Sequence, residues 1–190
     1  MDEVYVATDI ETDGPSPGQY SMLSLGSVAF RLDKSIIGTF ERNLEVLPGA
    51  RQAPDVKKFW SDNPEAWASC RANLVCPKEA MTDYSAWLKS LGGKPVLVGH
   101  PVGFDYTFVH WYLHEFTGDS PFFPAGLDMA SYAMAMMGTP FIKSHKPYMP
   151  KEWIDANFPA THKALDDALS HAMVFCNMVA ANRARAMGAG

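Results

Sequence analysis

The chain has 190 residues, of which 47% are hydrophobic and 12% aromatic, and its formal net charge is −5. The length and the apolar content predict one packed domain. The negative charge argues against a protein that binds a long nucleic-acid duplex through a basic face. A short single-stranded end, held by metal ions and aromatic rings, stays compatible with that charge.

The three cysteines, Cys70, Cys76 and Cys176, show no ligand-like spacing, so the sequence predicts neither a zinc site nor a disulfide framework. The start of the chain is acidic and lacks the pattern of a signal peptide, and no apolar run is long enough to span a membrane. We therefore expect a cytoplasmic protein with a single domain over residues 1–183 and a flexible tail over residues 184–190.

The first predicted strand, residues 4–14, carries two acidic side chains, Asp9 and Glu11. Side chains alternate between the faces of a strand, so these two point the same way, about 6.6 Å apart along the backbone. Partly buried carboxylates at this spacing repel each other, and a hard divalent ion such as Mg²⁺ relieves the repulsion. A solvated Asp-x-Glu pair at a strand end is the common alternative, so the pair alone predicts little.

Three further segments have the pattern of strands, and three have the pattern of helices. Residues 22–32 and 36–47 alternate as strands, and their short connections predict an antiparallel meander with the first strand. Residues 95–99 are wholly apolar, which is typical of a central parallel strand. Helices are predicted around residues 56–60 and over residues 64–71 and 77–91. Asn63 is a candidate cap for the second of these helices, and Pro64 occupies its first position.

Two aspartates lie at predicted helix starts in the second half of the chain. Asp105 follows the apolar strand at the start of a helix that runs to about Phe116, and in open α/β sheets this is where sites are built. An aspartate there is also a normal helix cap, as we expect for Asp128 ahead of the helix over residues 129–137.

The last helix is preceded by a long connection and opens with a histidine and two aspartates. Residues 138–161 contain four prolines, and we expect one helical turn there, around residues 152–157. His162 and Asp167 then lie on neighbouring turns of the last helix. A histidine in this place is often a capping or surface residue. What indicates a function is that it follows the earlier acidic residues in a particular order along the chain.

Three motifs in this order resemble those of the DEDDh family of 3′-5′ exonucleases, which includes the proofreading subunit of bacterial replicative polymerase, RNase T and oligoribonuclease. The motifs are DIETDG at residues 9–14, VGHPVGFD at residues 98–105, and His162 followed five positions later by Asp167. That spacing selects Asp167 over Asp166. Lys163 occupies the position where the sister DEDDy group would have its tyrosine.

The resemblance implies a fold and a set of metal ligands. The fold is ribonuclease H-like, an α/β architecture with a mixed five-stranded sheet, in which an antiparallel meander is joined to parallel strands and flanked by helices. Its last strand is expected near residues 125–127. Two divalent ions, Mg²⁺ or Mn²⁺, are implied. Asp9 bridges both ions, Glu11 and Asp167 hold the ion that carries the attacking water, and Asp105 supports the second.

The resemblance also assigns His162 as the general base. A histidine suits this role because its ordinary pKa lies near neutrality. If His162 is not the base, His145 is the first alternative.

Contacts with a 3′-terminal nucleotide are expected from five residues. Thr12 would touch the terminal sugar, Met22 or Leu23 would wedge under a base, and Phe104 or Phe108 would stack on one. Apolar residues at such positions are more often part of a core.

The function implied is a free-standing 3′-5′ exonuclease that acts on single-stranded DNA or RNA and releases nucleoside 5′-monophosphates. One alternative is an exoribonuclease that trims RNA or short oligonucleotides. A second is a non-catalytic nucleic-acid-binding or polymerase-associated module, although such a module has no need to keep five titratable groups together. Several family members are dimers, so a homodimer is possible.

Overall fold

A mixed sheet of five strands forms the centre of the fold. The computed structural model describes residues 2–188. The strands are β1 (Glu3–Thr12), β2 (Met22–Phe30), β3 (Ile36–Asn43), β4 (Lys94–Gly99) and β5 (Leu127–Asp128). Their spatial order is β3-β2-β1-β4-β5, with the first three antiparallel and with β4 parallel to β1 and β5. The predicted α/β fold class is confirmed.

Helices cover both faces of the sheet. They are α1 (Pro54–Asp62), α2 (Pro64–Cys70), α3 (Pro77–Ser90), α4 (Val102–Thr117), α5 (Met129–Met137) and α6 (Ala164–Gly188). The apolar faces of α3 and α4 form one core with the sheet, and α5 and α6 form the core on the other side. Within residues 2–188, each helix is too short or too polar to cross a lipid bilayer.

Strand alternation decides which core each residue of β1 faces. Val6 and Ile10 belong to the core under α3 and α4, whereas Tyr5 and Ala7 face the core under α5 and α6. By the same alternation, the side chains that follow Ala7 at two-residue intervals face α6. These side chains are the two acids of the first motif.

β1 is the central strand, and its carboxyl end extends beyond the neighbouring parallel strand β4. The pairing of β1 with β4 ends at Ala7 opposite Val98, so Asp9 lies beyond the parallel neighbour. On its other side, Asp9 pairs with Gly26 of β2. The turn after β4 leads directly into α4, which brings the second motif to the same edge.

The long connection between α5 and α6 differs from the prediction. Three short 3₁₀ turns, Phe141–Lys143, Lys146–Tyr148 and Lys151–Trp153, replace the single helical turn expected around residues 152–157. Pro140 and Pro150 immediately precede the first and third turns, and Pro147 is the second residue of the middle one; at these positions the missing proline N–H is not needed.

Both ends of the last helix also differ from the prediction, as does the cap of α2. Helix α6 begins at Ala164 and continues to Gly188, so residues 184–188 are helical where a flexible tail was expected; residues 189 and 190 lie outside the described residues. Alanine, arginine and methionine in this stretch are strong helix formers. The Asn63 side chain donates to the Phe59 carbonyl of α1 at 2.9 Å and does not cap α2.

The start of α6 rests directly on Gly26. A Cβ atom on this glycine would lie 2.2 Å from the carbonyl carbon of Ala164 and from the backbone nitrogen of Leu165. Because Gly26 also pairs with Asp9, the missing side chain allows α6 to approach the acidic end of β1. Gly26→Ala should therefore destabilise the protein by about 1–3 kcal/mol, the usual cost of overpacking.

Gly38→Ala in β3 is the matched control, because its Cβ would meet only Trp87 Nε1 at an ordinary 3.5 Å. Thermal unfolding of the two variants measures the difference. A Gly26→Ala protein that is as stable as Gly38→Ala would show that α6 does not depend on this close approach.

Candidate active site

The two acids of β1 lie at the bottom of a cleft between the sheet and α6. The Asp9 side chain is 17% exposed, and Glu11 is also half-buried. Nδ1 of the buried His171 on α6 lies 4.0 Å from Oδ1 of Asp9. The first motif is therefore partly enclosed, with carboxylate oxygens that still reach solvent.

Asp105 enters the cleft from the other side of the sheet, on the first turn of α4. The residue is 3% exposed, and its side chain does not cap the helix. Its Oδ2 atom has no hydrogen-bond partner within residues 2–188, and a Cβ on Gly99 would lie 3.0 Å from that atom. Asp105 is therefore not the ordinary helix cap that the sequence allowed, whereas Asp128 is a cap and accepts from the Ser131 N–H at 2.6 Å.

The last helix separates the roles of its two neighbouring aspartates. Oδ1 of Asp167 accepts a hydrogen bond from the Thr161 N–H at 2.8 Å, and Oδ2 of Asp166 accepts one from the Thr161 hydroxyl at 2.8 Å. Asp167 is buried and Asp166 is half-buried. Asp166 is thus engaged with the preceding loop.

His162 stands just ahead of α6 and is exposed. Its backbone has a φ of 57°, in the left-handed region that histidine adopts more readily than most residues. The imidazole contacts the ring of Phe59 on α1 edge to face, with ring centroids 5.1 Å apart. This contact with α1 directs the His162 ring.

The motif residues lie close together in the fold. Glu11, His162 and Asp167 each offer a ligand atom within 4.8 Å of the others. Asp9 lies within electrostatic range of Asp167 and Glu11, and Asp105 within range of both Asp9 and Glu11. The five dispersed residues that the sequence selected are therefore neighbours in the fold.

Burial raises the pKa values of these carboxyls. Burial and the charges of Asp9 and Asp167 raise the pKa of Glu11 to about 9. Burial and the Asp167 charge hold the pKa of Asp9 well above its ordinary range. Burial, Asp9 and Glu11 do the same for Asp105, against a hydrogen bond from the Ile10 backbone. Without a cation, this cluster resists full ionisation.

The donor set fits a hard divalent ion. It consists of carboxylate oxygens, the ligands that Mg²⁺ and Mn²⁺ prefer, and it includes a buried Asp105 oxygen without a protein partner. An ion there would offset the repulsion that raises the carboxyl pKa values.

Comparison with known proteins identifies relatives of the chain. No protein-family model matches it. Over 180 residues the chain is 29% identical to the 3′-5′ DNA exonuclease Cap18 of Escherichia coli, with 91% of this chain and 90% of Cap18 covered. The chain is a homologue of the 3′-5′ DNA exonuclease Cap18.

Solved structures confirm the predicted fold of the chain. The nuclease domain of 3′hExo, a DEDDh family member bound to rAMP, superposes with a TM-score of 0.67 at 13% identity and covers 93% of this chain and 92% of that one. E. coli Exonuclease I in complex with a dT13 oligonucleotide gives 0.68 at 14% identity over 98% of this chain and 43% of the enzyme. S. pombe Pop2p in its Mg²⁺- and Mn²⁺-bound form gives 0.64 at 12% identity, over 92% and 82% of the two chains.

Three of the expected substrate contacts are wrong. Met22, Leu23 and Phe108 are fully buried in the core, so they cannot wedge or stack against a base without repacking. Phe104 is 37% exposed and stays available. Thr12 is buried and its hydroxyl donates to the Gly14 carbonyl at 3.0 Å, so its contact with a sugar stays a prediction.

Sequence reasoning missed two groups beside the carboxylates. His171 lies one helical turn after Asp167 on the same face of α6, a spacing that could have indicated it. Lys146 lies within electrostatic range of Asp9 and Asp167. The sequence feature that could have indicated Lys146 is the concentration of lysines among aromatic residues in the long connection.

The raised carboxyl pKa values predict an unusual pH dependence of stability. The Glu11 pKa rises on folding from 4.5 to about 9, so the stabilisation from its neutral form is complete below pH 4.5 and is lost as pH rises to about 9. In chelator, the unfolding temperature should therefore fall across this range. Mn²⁺ at a hundred times its Kd should restore roughly 5–10 °C at the alkaline end.

Glu11→Gln is the control for this prediction, because an amide of similar shape does not titrate. Its unfolding temperature in chelator should fall less between acid and alkaline pH. Equal slopes for the two proteins would contradict the assignment to Glu11.

Proposed function

We propose that the protein is a metal-dependent 3′-5′ exonuclease that hydrolyses the terminal phosphodiester of single-stranded nucleic acid and releases nucleoside 5′-monophosphates. The observation that carries the proposal is the clustering of Asp9, Glu11, Asp105, His162 and Asp167 at one place in the fold. Homology to Cap18 supports the direction of cleavage.

Two divalent ions, Mg²⁺ or Mn²⁺, would be held by the four carboxylates. When bound, such ions stabilise charge on the reacting phosphate and on the leaving oxygen and make water a better nucleophile. Asp9 is central to the cluster, because it lies near Asp105 on one side and Asp167 on the other. We assign Glu11 and Asp167 with Asp9 to one ion, and Asp105 with Asp9 to the other.

His162 would act as the general base. Its ring lies within 4.8 Å of Glu11 and Asp167 ligand atoms and is exposed to solvent, so it can accept a proton from water and pass it on. The other candidate base, His145, packs its ring against His100 and Phe141 at 5.2 and 5.1 Å. The proximity to Glu11 and Asp167 favours His162.

Single-stranded DNA is the favoured substrate, because Cap18 is a DNA exonuclease and Exonuclease I was solved with a dT13 oligonucleotide. The complex of 3′hExo with rAMP keeps RNA as the alternative substrate. A homodimer and a cytoplasmic location stay predictions from the sequence.

Oligonucleotides labelled at either end test this function. Purified protein is incubated with single-stranded DNA or RNA and with Mg²⁺, Mn²⁺ or chelator. A 5′-labelled strand should shorten stepwise while a 3′ label is released at once as a mononucleotide, and chelator should stop both reactions. Loss of nucleotides from the 5′ end, cleavage in chelator, or no cleavage of either strand would contradict the proposal.

A further inference from the structure

The connection between α5 and α6 gathers basic side chains next to the acidic cleft. Its first part, residues 138–151, contains three lysines, one histidine and no acidic residue, in a chain whose net charge is −5. We call this stretch the 138–151 segment. Basic side chains at this position favour the binding of an anionic ligand.

Hydrogen bonds and burial fix the 138–151 segment in place. The Ser144 side chain is fully buried and its hydroxyl donates to the Phe141 carbonyl at 2.6 Å. The Tyr148 N–H donates to the His145 carbonyl at 2.8 Å, and Met149 is buried in the core under α6. The segment therefore presents its side chains from a defined backbone.

A row of histidines connects the segment to the first motif. The His145 ring lies 5.2 Å from the His100 ring, which lies 6.1 Å from the ring of His171. His171 in turn approaches Asp9, with Nδ1 and Oδ1 4.0 Å apart. The residue after His145 is Lys146, so the backbone that carries Lys146 is packed against this row of histidines.

Lys146 differs from the other two lysines of the segment. Its side chain is half-buried, whereas theirs are exposed. Its ammonium lies within electrostatic range of Asp9, Asp105 and Asp167, so its positive charge is near the carboxylate cluster. Burial lowers the Lys146 pKa, and the attraction of these three carboxylates opposes that fall.

The charge balance of the loaded site leaves Lys146 without a partner. Four carboxylates offset two divalent ions, so the ammonium remains as an uncompensated positive charge in a partly enclosed cavity. A buried charge of this kind is costly unless it is paired. A phosphodiester supplies one negative charge at this place.

We propose that Lys146 is a substrate-binding residue of the active site. Its ammonium donates to a non-bridging oxygen of the phosphodiester that joins the 3′-terminal nucleotide to the strand. The inference rests on the exonuclease function proposed above and adds a phosphate ligand on the chain itself. The lysine supplies a compact charge on a flexible stem, which can reach the phosphate from the edge of the cleft. The exposed lysines of the segment, Lys143 and Lys151, would then face the rest of the bound nucleic-acid strand.

Binding of dTMP to the Mn²⁺-loaded protein tests the inference independently of turnover. Lys146→Gln should weaken dTMP binding by about tenfold to a hundredfold, which is the range for one hydrogen bond to a charged group. Thymidine, which lacks the phosphate, should bind both proteins equally. In the oligonucleotide assay, kcat/KM should fall by a similar factor, and Lys146→Arg should recover part of the loss.

Lys143→Gln is the matched control, since it removes the same charge from an exposed position of the same segment. Its dTMP affinity should change less than about twofold, as for surface charges in general. Mn²⁺ titration of both variants completes the set. Lys146→Gln should bind Mn²⁺ as tightly as the unaltered protein or more tightly.

Two results would overturn the inference. Unchanged dTMP affinity in Lys146→Gln, with tighter Mn²⁺ binding, would mean that the lysine only neutralises carboxylates in the metal-free protein. An equal loss of dTMP and thymidine binding would mean that the residue shapes the cleft and does not bind phosphate. Failure of the unaltered protein to degrade oligonucleotides would instead contradict the proposed function, because the dTMP measurement does not depend on cleavage.

Discussion

Replacing Asp9 with asparagine should abolish exonuclease activity, with a loss of at least about a thousandfold in kcat. Asp9 lies between the other carboxylates, so its loss would disturb both proposed ion positions. Ions that stabilise transition-state charge contribute several kcal/mol, and each 1.36 kcal/mol of barrier is about tenfold in rate. Release of labelled mononucleotide under single-turnover conditions measures the effect.

The same variant should stay folded. Burial and the Asp167 charge already raise the pKa of Asp9, which means that the fold favours a neutral group there. Asp9→Asn should therefore unfold at the same or a higher temperature in chelator at alkaline pH. Asp166→Asn is the matched control, because Asp166 bonds the Thr161 hydroxyl and should keep activity within a few-fold. Undiminished cleavage by Asp9→Asn would remove Asp9 from the mechanism.

Replacing His162 should lower kcat by about a hundredfold to ten-thousandfold, the usual contribution of a general base. Asparagine is the better substitute than alanine, because the backbone φ of 57° lies in the left-handed region that asparagine tolerates. The variant should therefore fold normally. Mn²⁺ affinity should be unchanged if His162 moves a proton and does not bind the ion.

His145→Asn is the matched control for the base. Its ring packs on His100 and Phe141, and activity should change only a few-fold. A large loss in His145→Asn with an active His162→Asn would transfer the role to His145. A drop in Mn²⁺ affinity in His162→Asn would instead identify His162 as a metal ligand, which its position beside Glu11 and Asp167 also permits.

The sheet and the acidic cluster could be predicted because simple rules govern them. Alternation along β1 puts Asp9 and Glu11 on one face, and the five-residue spacing puts His162 near Asp167. Parallel pairing of β1 with β4 then brings Asp105 to the same edge. Each of these relations follows from local geometry and chain order.

Contacts that depend on packing could not be predicted in the same way. Met22, Leu23 and Phe108 belong to a core whose depth is set by helices far away in the sequence. Lys146 reaches the carboxylates only because the 138–151 segment folds back over the cleft. The turns in that connection follow from its prolines, but their placement against His100 depends on the assembled fold.

The central claim is that four carboxylates from β1, α4 and α6 hold two divalent ions. A crystal of the protein grown with Mn²⁺ and dTMP tests it most directly, through the anomalous scattering of manganese. We predict two peaks about 3.5–4 Å apart, ligated by Asp9, Glu11, Asp105 and Asp167. A cavity without manganese, or manganese bound elsewhere while these carboxylates stay unligated, would contradict the account.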